Sequence, residues 1–258
     1  MKLIRELLYR NSAAAWFGIL NFIAFAVLLS ISALDQRTLI SVNIWIKPMK
    51  FCISIGIFSW TMAWFLHHLP QIRKVRIITF VIIGMLGIEL LIIIMQAARG
   101  ELSHYNISNL LNAVLFQIMG IAIVANTFMV FWTFRLFGKA KQLPAGYLLG
   151  IRLGMLVFII ASLEGFLMTF NLGHTVGAAD GQEGIFFLNW AKSYGDLRVF
   201  HFLGLHGLQI IPLFAWYFSR EKRILVVVFA VIYLLFSLGT LWNALAGKGL
   251  FDFGITSG

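Results

Sequence analysis

The chain has 258 residues, of which 60% are hydrophobic and 12% charged, with a net charge of +10. Soluble domains run nearer 45–50% apolar and about 25% charged, so a soluble globular domain is excluded. The positive charge does not imply nucleic acid, because the basic residues fall in short clusters between apolar stretches, a pattern that belongs to membrane topology and anionic headgroups.

The basic segment Met1–Arg10 leads into an apolar run too long for a signal-peptide core, and no convincing cleavage site follows it. A bilayer core about 30 Å thick needs about twenty helical residues, and lipid offers no partner to a bare backbone, so each crossing must be helical. Seven such runs are present: Ala13–Leu34, Pro48–Leu69, Ile77–Ala98, Asn109–Phe137, Leu148–Phe170, Val199–Ser219 and Ile224–Gly247. Pro48 suits a first helical turn, Pro70 and Pro144 fall at breaks, and Pro212 inside the sixth run predicts a kink. The fold class read from this pattern is all-α, a polytopic transmembrane bundle of seven spans in a single membrane domain over 1–258.

Lys and Arg concentrate in the N-terminal segment and in the loops after spans two, four and six, the last of which carries Arg220, Lys222 and Arg223. The other loops mix Arg37, Lys47, Lys50, Arg99, Lys192, Arg198 and Lys248 with acids. The positive-inside rule then places the N-terminus in the cytoplasm and the C-terminus outside. Cys52 is the only cysteine, so no intrachain disulfide is available and the redox compartment stays open.

The outer segment Asn171–Arg198 is long for a loop, and long loops tend to carry function. Its apolar patch Ile185–Trp190 reads either as an interfacial piece or as a lid, and Asp35–Ile46 with Trp45 as a second interfacial piece.

Charges inside a bilayer are costly and default to a functional reading. Glu89 and Glu164 lie in spans three and five, each roughly 9–14 Å below the outer surface at 1.5 Å per residue. Their shared depth predicts that both point into a common polar cavity. Span six carries Arg198, Phe202, His206 and Gln209 at intervals that put them on one helical face, with His206 near the depth of the acids. His201 falls on a different face from His206, so the two cannot be opposed axial ligands of one haem. His104 and His174 are the other outer histidines, whereas His67 and His68 end span two on the cytoplasmic side and read as topological. Polar residues recur at helical spacing in several spans, and Gln96, Arg99, Asn109, Asn112, Glu164, His206 and Gln209 weight the outer half toward an outward-opening pocket. Interhelical hydrogen bonding within the bundle is the competing explanation.

The runs Lys47-Pro48-Met49-Lys50-Phe51, Gln96-Ala97-Ala98-Arg99-Gly100 with Ser103-His104-Tyr105-Asn106, and Gly195-Asp196-Leu197-Arg198 leading to His201-Phe202-x-Gly204-Leu205-His206 resemble those of a group of uncharacterised bacterial multi-pass membrane proteins. The resemblance spans Lys47 to about Gln209 and implies a bacterial inner-membrane location, but no activity. The leading expectation is a metal- or haem-dependent redox or hydrolytic site. His206, His201, His174 and His104 are its candidate metal ligands. Glu89, Glu164, Arg99 and Arg198 are its catalytic candidates, and His206, Gln209, Gln96 and Asn112 its cofactor-binding candidates. The alternative is a proton-coupled transporter or channel of small solutes using Glu89 and Glu164, and a third reading is a non-catalytic subunit. The partners expected are the lipid bilayer and a small-molecule or lipid-like ligand, with cofactor identity and oligomeric state left open.

Overall fold

Each apolar run closes into a helix, as hydrocarbon requires of a backbone that cannot bond to water. The computed structural model describes residues 2–140, 142–250 and 252; Met1 and the C-terminus, whose side of the membrane the basic clusters predict, lie outside them. Among the described residues, seven helices are long and apolar enough to cross a membrane: α2 (Ser12–Leu34), α3 (Ile46–Leu66), α4 (Ile72–Arg99), α5 (Leu110–Phe137), α6 (Ala145–Asn171), α7 (Arg198–Phe218) and α8 (Arg223–Leu245). The chain is a membrane-embedded, multi-pass, all-α protein. An eighth helix, α1 (Lys2–Arg10), precedes them. Two short antiparallel pairs, β1 (Thr38–Leu39) with β2 (Val42–Asn43) and β3 (Thr175–Val176) with β4 (Gly195–Asp196), trim the loops.

Several helix ends differ from the apolar limits, for local reasons. Helix α4 starts at Ile72, so Arg73, Lys74 and Arg76 form its exposed first turns instead of a loop. It stops at Gly100, whose φ of 72° supplies the left-handed closing residue. The Asn109 side chain accepts from the Asn112 N–H at 3.0 Å and caps α5. Asn11 does the same for α2 through the Ala14 N–H, and its amide donates to Thr79 Oγ1 at 2.8 Å. Helix α1 went unpredicted; its Leu7 is buried against Ala14, Ala15 and Ala63, with Trp60 and Trp64 alongside.

The chain forms two compact units, Met1–Gln142 and Leu143–Gly258. In the first, α2 packs on α3, α3 on α4 and α4 on α5. In the second, α6 and α7 form the main contact and α8 packs on both.

The α6–α7 seam is built from residues with almost no side chain. A Cβ on Gly146 would overlap the Ser219 carbonyl oxygen, one on Gly150 would sit 2.6 Å from Ala215 Cβ, and one on Gly154 would sit 2.8 Å from the Gly207 carbonyl oxygen. Further along, Gly204 faces Ala161 and Gly165 faces the His201 ring. Pro212 lies within α7 on this side, beside Gly154. The backbones therefore approach closely, as small residues permit in membranes, and one antiparallel register is fixed.

Candidate functional site

In the first unit the buried acid is Glu89, 2% exposed on α4. The turn after α4 returns His104 to it, with Nε2 at 4.0 Å from Glu89 Oε1. Ser103 Oγ lies 3.1 Å from His104 Nδ1. The rings of Phe51, Tyr105 and Phe116 surround the imidazole, with centroids 5.8, 6.0 and 6.3 Å away. Lys47, in the first turn of α3, is the cation whose field acts on Glu89. Residues of two sequence motifs, Lys47 and Phe51 from one and Ser103 and His104 from the other, thus gather about the Glu89–His104 pair.

Gln96, Asn112 and Arg99, read in sequence as lining a pocket, bond to one another. Gln96 Nε2 donates to Asn112 Oδ1 at 3.0 Å and to the Leu102 carbonyl at 3.2 Å, and Arg99 Nη1 donates to Gln96 Oε1 at 2.7 Å. The Asn112 amide donates to Ser108 Oγ and Glu101 Oε2 at 3.0 and 3.4 Å. Gln96 and Asn112 are both fully buried. The network satisfies the free backbone and side-chain groups where α4 turns into α5. Elsewhere the polar stripes back-bond within their own helices: Thr61 to the Ile57 carbonyl, Ser237 to that of Tyr233 and Thr240 to that of Ser237.

In the second unit Glu164 on α6 is 6% exposed. Its Oε2 lies 3.1 Å from His201 Nδ1 on α7. Its Oε1 is buried with no hydrogen-bond partner among the described residues. The histidine side chain is 29% exposed, against 3% for the glutamate. Depth alone pointed to His206 as the neighbour of Glu164, but the seam register selects His201, which shares the α6-facing side with Gly204. His206 turns to another face, against the Phe202 ring at 4.3 Å and with Nδ1 3.3 Å from Gln209 Oε1. His201 and His206 occupy separate faces, as their spacing requires.

Arg198 and His174 are engaged at the loop end of α7. Arg198 Nε and Nη2 donate to the Asp196 carboxylate at 2.9 and 2.5 Å, and Nη2 also donates to the Asn189 carbonyl. Asp196, 3% exposed, accepts in addition from the Ala191 N–H at 2.7 Å. The Gly195-Asp196-Leu197-Arg198 run is thus a clasp, and Gly195 is required because a Cβ would overlap the Ala244 carbonyl. His174 Nδ1 lies 2.6 Å from Asp180 Oδ2, and the backbone N–H groups of His174 and Thr175 donate to the same carboxylate. Burial acts to raise the Asp180 carboxyl, but these bonds outweigh it and hold it well below the usual carboxylate range.

Two charged features escaped the sequence reading. Asp35 accepts from Arg37 Nη2 at 2.7 Å and Trp45 Nε1 at 2.9 Å, and Arg37 Nη1 reaches the Ala98 carbonyl at 3.0 Å. The bonds from Arg37 and then Trp45 hold the Asp35 carboxyl well below its ordinary value. The nearby sequence Asp35-Gln36-Arg37 was the available signal. Arg152, half-buried two turns into α6, is a further intramembrane charge, visible to any tally of charges inside apolar runs.

Among the described residues no group of three or more His, Cys, Asp or Glu side chains is placed to hold a metal ion. The four candidate ligands have separate polar neighbours: His104 has Glu89, His174 has Asp180, His201 has Glu164 and His206 has Gln209. Glu89 belongs to the first unit and Glu164 to the second, and each meets a histidine of its own unit. What this arrangement offers chemically is two buried carboxyls, each with a more exposed imidazole beside it. No family model matches the chain, and no curated protein or solved structure does either.

Proposed function

We propose that the protein is a proton-coupled carrier of small solutes in which Glu164 and Glu89 bear the coupled protons, with His201 and His104 as the groups that exchange them with water. The observation carrying this reading is the Glu164–His201 pair: one carboxyl oxygen meets a partly exposed imidazole, and the other is buried and unbonded among the described residues. Acids and histidines inside a membrane commonly form proton relays, and imidazole gains and loses a proton near neutral pH. The Glu89–His104 pair repeats the same order of burial, at 3% and 19% side-chain exposure. This reading ranks above the metal- or haem-dependent enzyme because the histidines pair with separate groups instead of converging. The basic clusters favour a cytoplasmic N-terminus and, with the motif resemblance, a bacterial inner membrane.

The test is reconstitution into liposomes that enclose a pH-sensitive dye, followed by external addition of amino acids, organic acids, sugars and amines in turn. One class should acidify the lumen, and Glu164→Gln should abolish that signal without preventing insertion. Undiminished solute-driven acidification in Glu164→Gln overturns the reading. So does stoichiometric metal or haem in protein that moves no proton with any class.

A further inference from the structure

The segment between α6 and α7 ends in a small finger whose chemistry is divided along its length. At its base Lys192 Nζ lies 2.5 Å from Glu183 Oε1, and the Lys192 N–H donates to the Glu183 carbonyl at 3.1 Å. Beyond this charged base, Gly184–Ala191 contains no ionisable residue. At the tip, Phe186 is 93% exposed. A ring held this far into water loses the hydrophobic stabilisation that burial gives it, so the exposure calls for an occupant of the space around it.

The finger is rigidly built. Ile185 and Asn189 donate to the carbonyls of Trp190 and Ile185 at 2.9 and 2.7 Å. Phe187 and Asn189 adopt φ values of 63° and 55°, a left-handed conformation that asparagine takes readily but that is uncommon for a bulky residue such as Phe187. The Arg198 guanidinium on the Asn189 carbonyl and the Asp196 carboxylate on the Ala191 N–H tie the returning arm of the finger to the start of α7.

Its position against α7 identifies the occupant. The Trp190 ring packs edge-on against the Phe202 ring, centroids 5.3 Å apart. Phe202 lies four residues inside the first residue of α7, about 6 Å along the helix axis, and is itself 40% exposed on a membrane-spanning helix. The root of the finger therefore lies against an exposed surface of a span. A tryptophan at its root and a charged pair at its base match the graded polarity of a membrane interface.

We infer that the Ile185–Trp190 turn is a membrane-inserted finger, its Phe186 ring lodged among the acyl chains of the leaflet at that end of the spans. The occupant is lipid, so the finger anchors the loop that Arg198 and Asp196 clasp. This inference is independent of proton coupling.

The test uses the full-length protein in phosphatidylcholine vesicles. Cys52 is fully buried, so a cysteine introduced at Phe186 or at exposed Gln182 can be spin-labelled in turn, with the unsubstituted protein as the blank. Power-saturation electron paramagnetic resonance then compares collision with oxygen, which concentrates in lipid, and with a water-soluble nickel chelate. The F186C label should collide with oxygen several-fold more, and with nickel several-fold less, than the Q182C label. Equal nickel collision at both positions means a finger standing in water, and exclusion of both reagents from F186C means cover by protein, including a second copy of the chain; either result overturns the inference. Because the Phe186 side chain packs against little protein, F186C should keep the elution profile of the unsubstituted protein, and a wild-type profile shows that the label reports on the native fold.

Discussion

His201 Nδ1 lies 3.1 Å from Glu164 Oε2 across the α6–α7 seam, and Glu164 Oε1 has no hydrogen-bond partner among the described residues. Removing the imidazole leaves both carboxyl oxygens buried. His201→Ala should therefore lower stability by about 1–3 kcal/mol, the penalty for stranding a buried polar group. Glu164→Met, which removes the need for a partner, should lower it less. Thermal unfolding of the two variants and their double mutant in detergent measures the coupling. Equal, additive losses would mean that the pair does not interact.

The clasp on α7 predicts a different signature. Arg198→Ala removes charged hydrogen bonds to Asp196 and the bond to the Asn189 carbonyl, and each charged bond is worth about 1.5–3 kcal/mol. The finger should become susceptible to proteolysis between residues 183 and 192 while the spans stay protected. Arg198→Lys should not restore protection, because an ammonium lacks the planar fork that serves a carboxylate and a carbonyl together. Full protection in Arg198→Lys would show that charge alone suffices.

Two glycines should respond in opposite directions to the same substitution. A Cβ on Gly154 would lie 2.8 Å from the Gly207 carbonyl oxygen, whereas one on Gly120 meets nothing within 4 Å. Gly154→Ala should destabilise by about 1–3 kcal/mol through overpacking. Gly120→Ala, in an exposed helix interior, should stabilise by up to about 1 kcal/mol. Melting temperatures of the two variants, compared with wild type, check the pair.

Helix α1 should loosen in acid. Burial, reinforced by the charges of Arg10 and His67, pushes His68 down to about 4 from its ordinary 6.5. Arg10 Nη1 lies 3.3 Å from His68 Nε2, and the Arg10 guanidinium stacks 3.8 Å from the Trp64 ring centroid. Between those two values the undocked state binds more protons than the docked one, so docking weakens as pH falls from about 6.5 toward 4 and is constant above that window. Hydrogen exchange of the α1 amides across this range should accelerate, and His68→Gln should flatten the dependence. Acceleration that persists in His68→Gln would assign it to another group.

The seven crossings and both intramembrane acids were legible in the sequence, because apolar runs of membrane length and charges within them are local signals. The partner of Glu164 was not. Depth along α7 selected His206, but which face of α7 meets α6 depends on backbone contacts at Gly146, Gly150 and Gly154, and these follow from two helices at once. Gln96 and Asn112 show the same limit: their spacing reveals a buried face, yet not that its polar groups close on one another at the α4–α5 turn. Helix α1 could have been seen in the spacing of Leu3 and Leu7, but its basic residues drew attention as topology markers.

The glycine seam also has a mechanical meaning. Side chains between helices act as a compliant layer that lets one slide on the other. Where Gly146, Gly150 and Gly154 bring α6 against the backbone of α7, that layer is missing. The two helices are therefore expected to move as one lever, with Glu164 and His201 riding on it together. Any motion within the second unit is then expected to swing this lever as a whole, with its flexing points outside the seam.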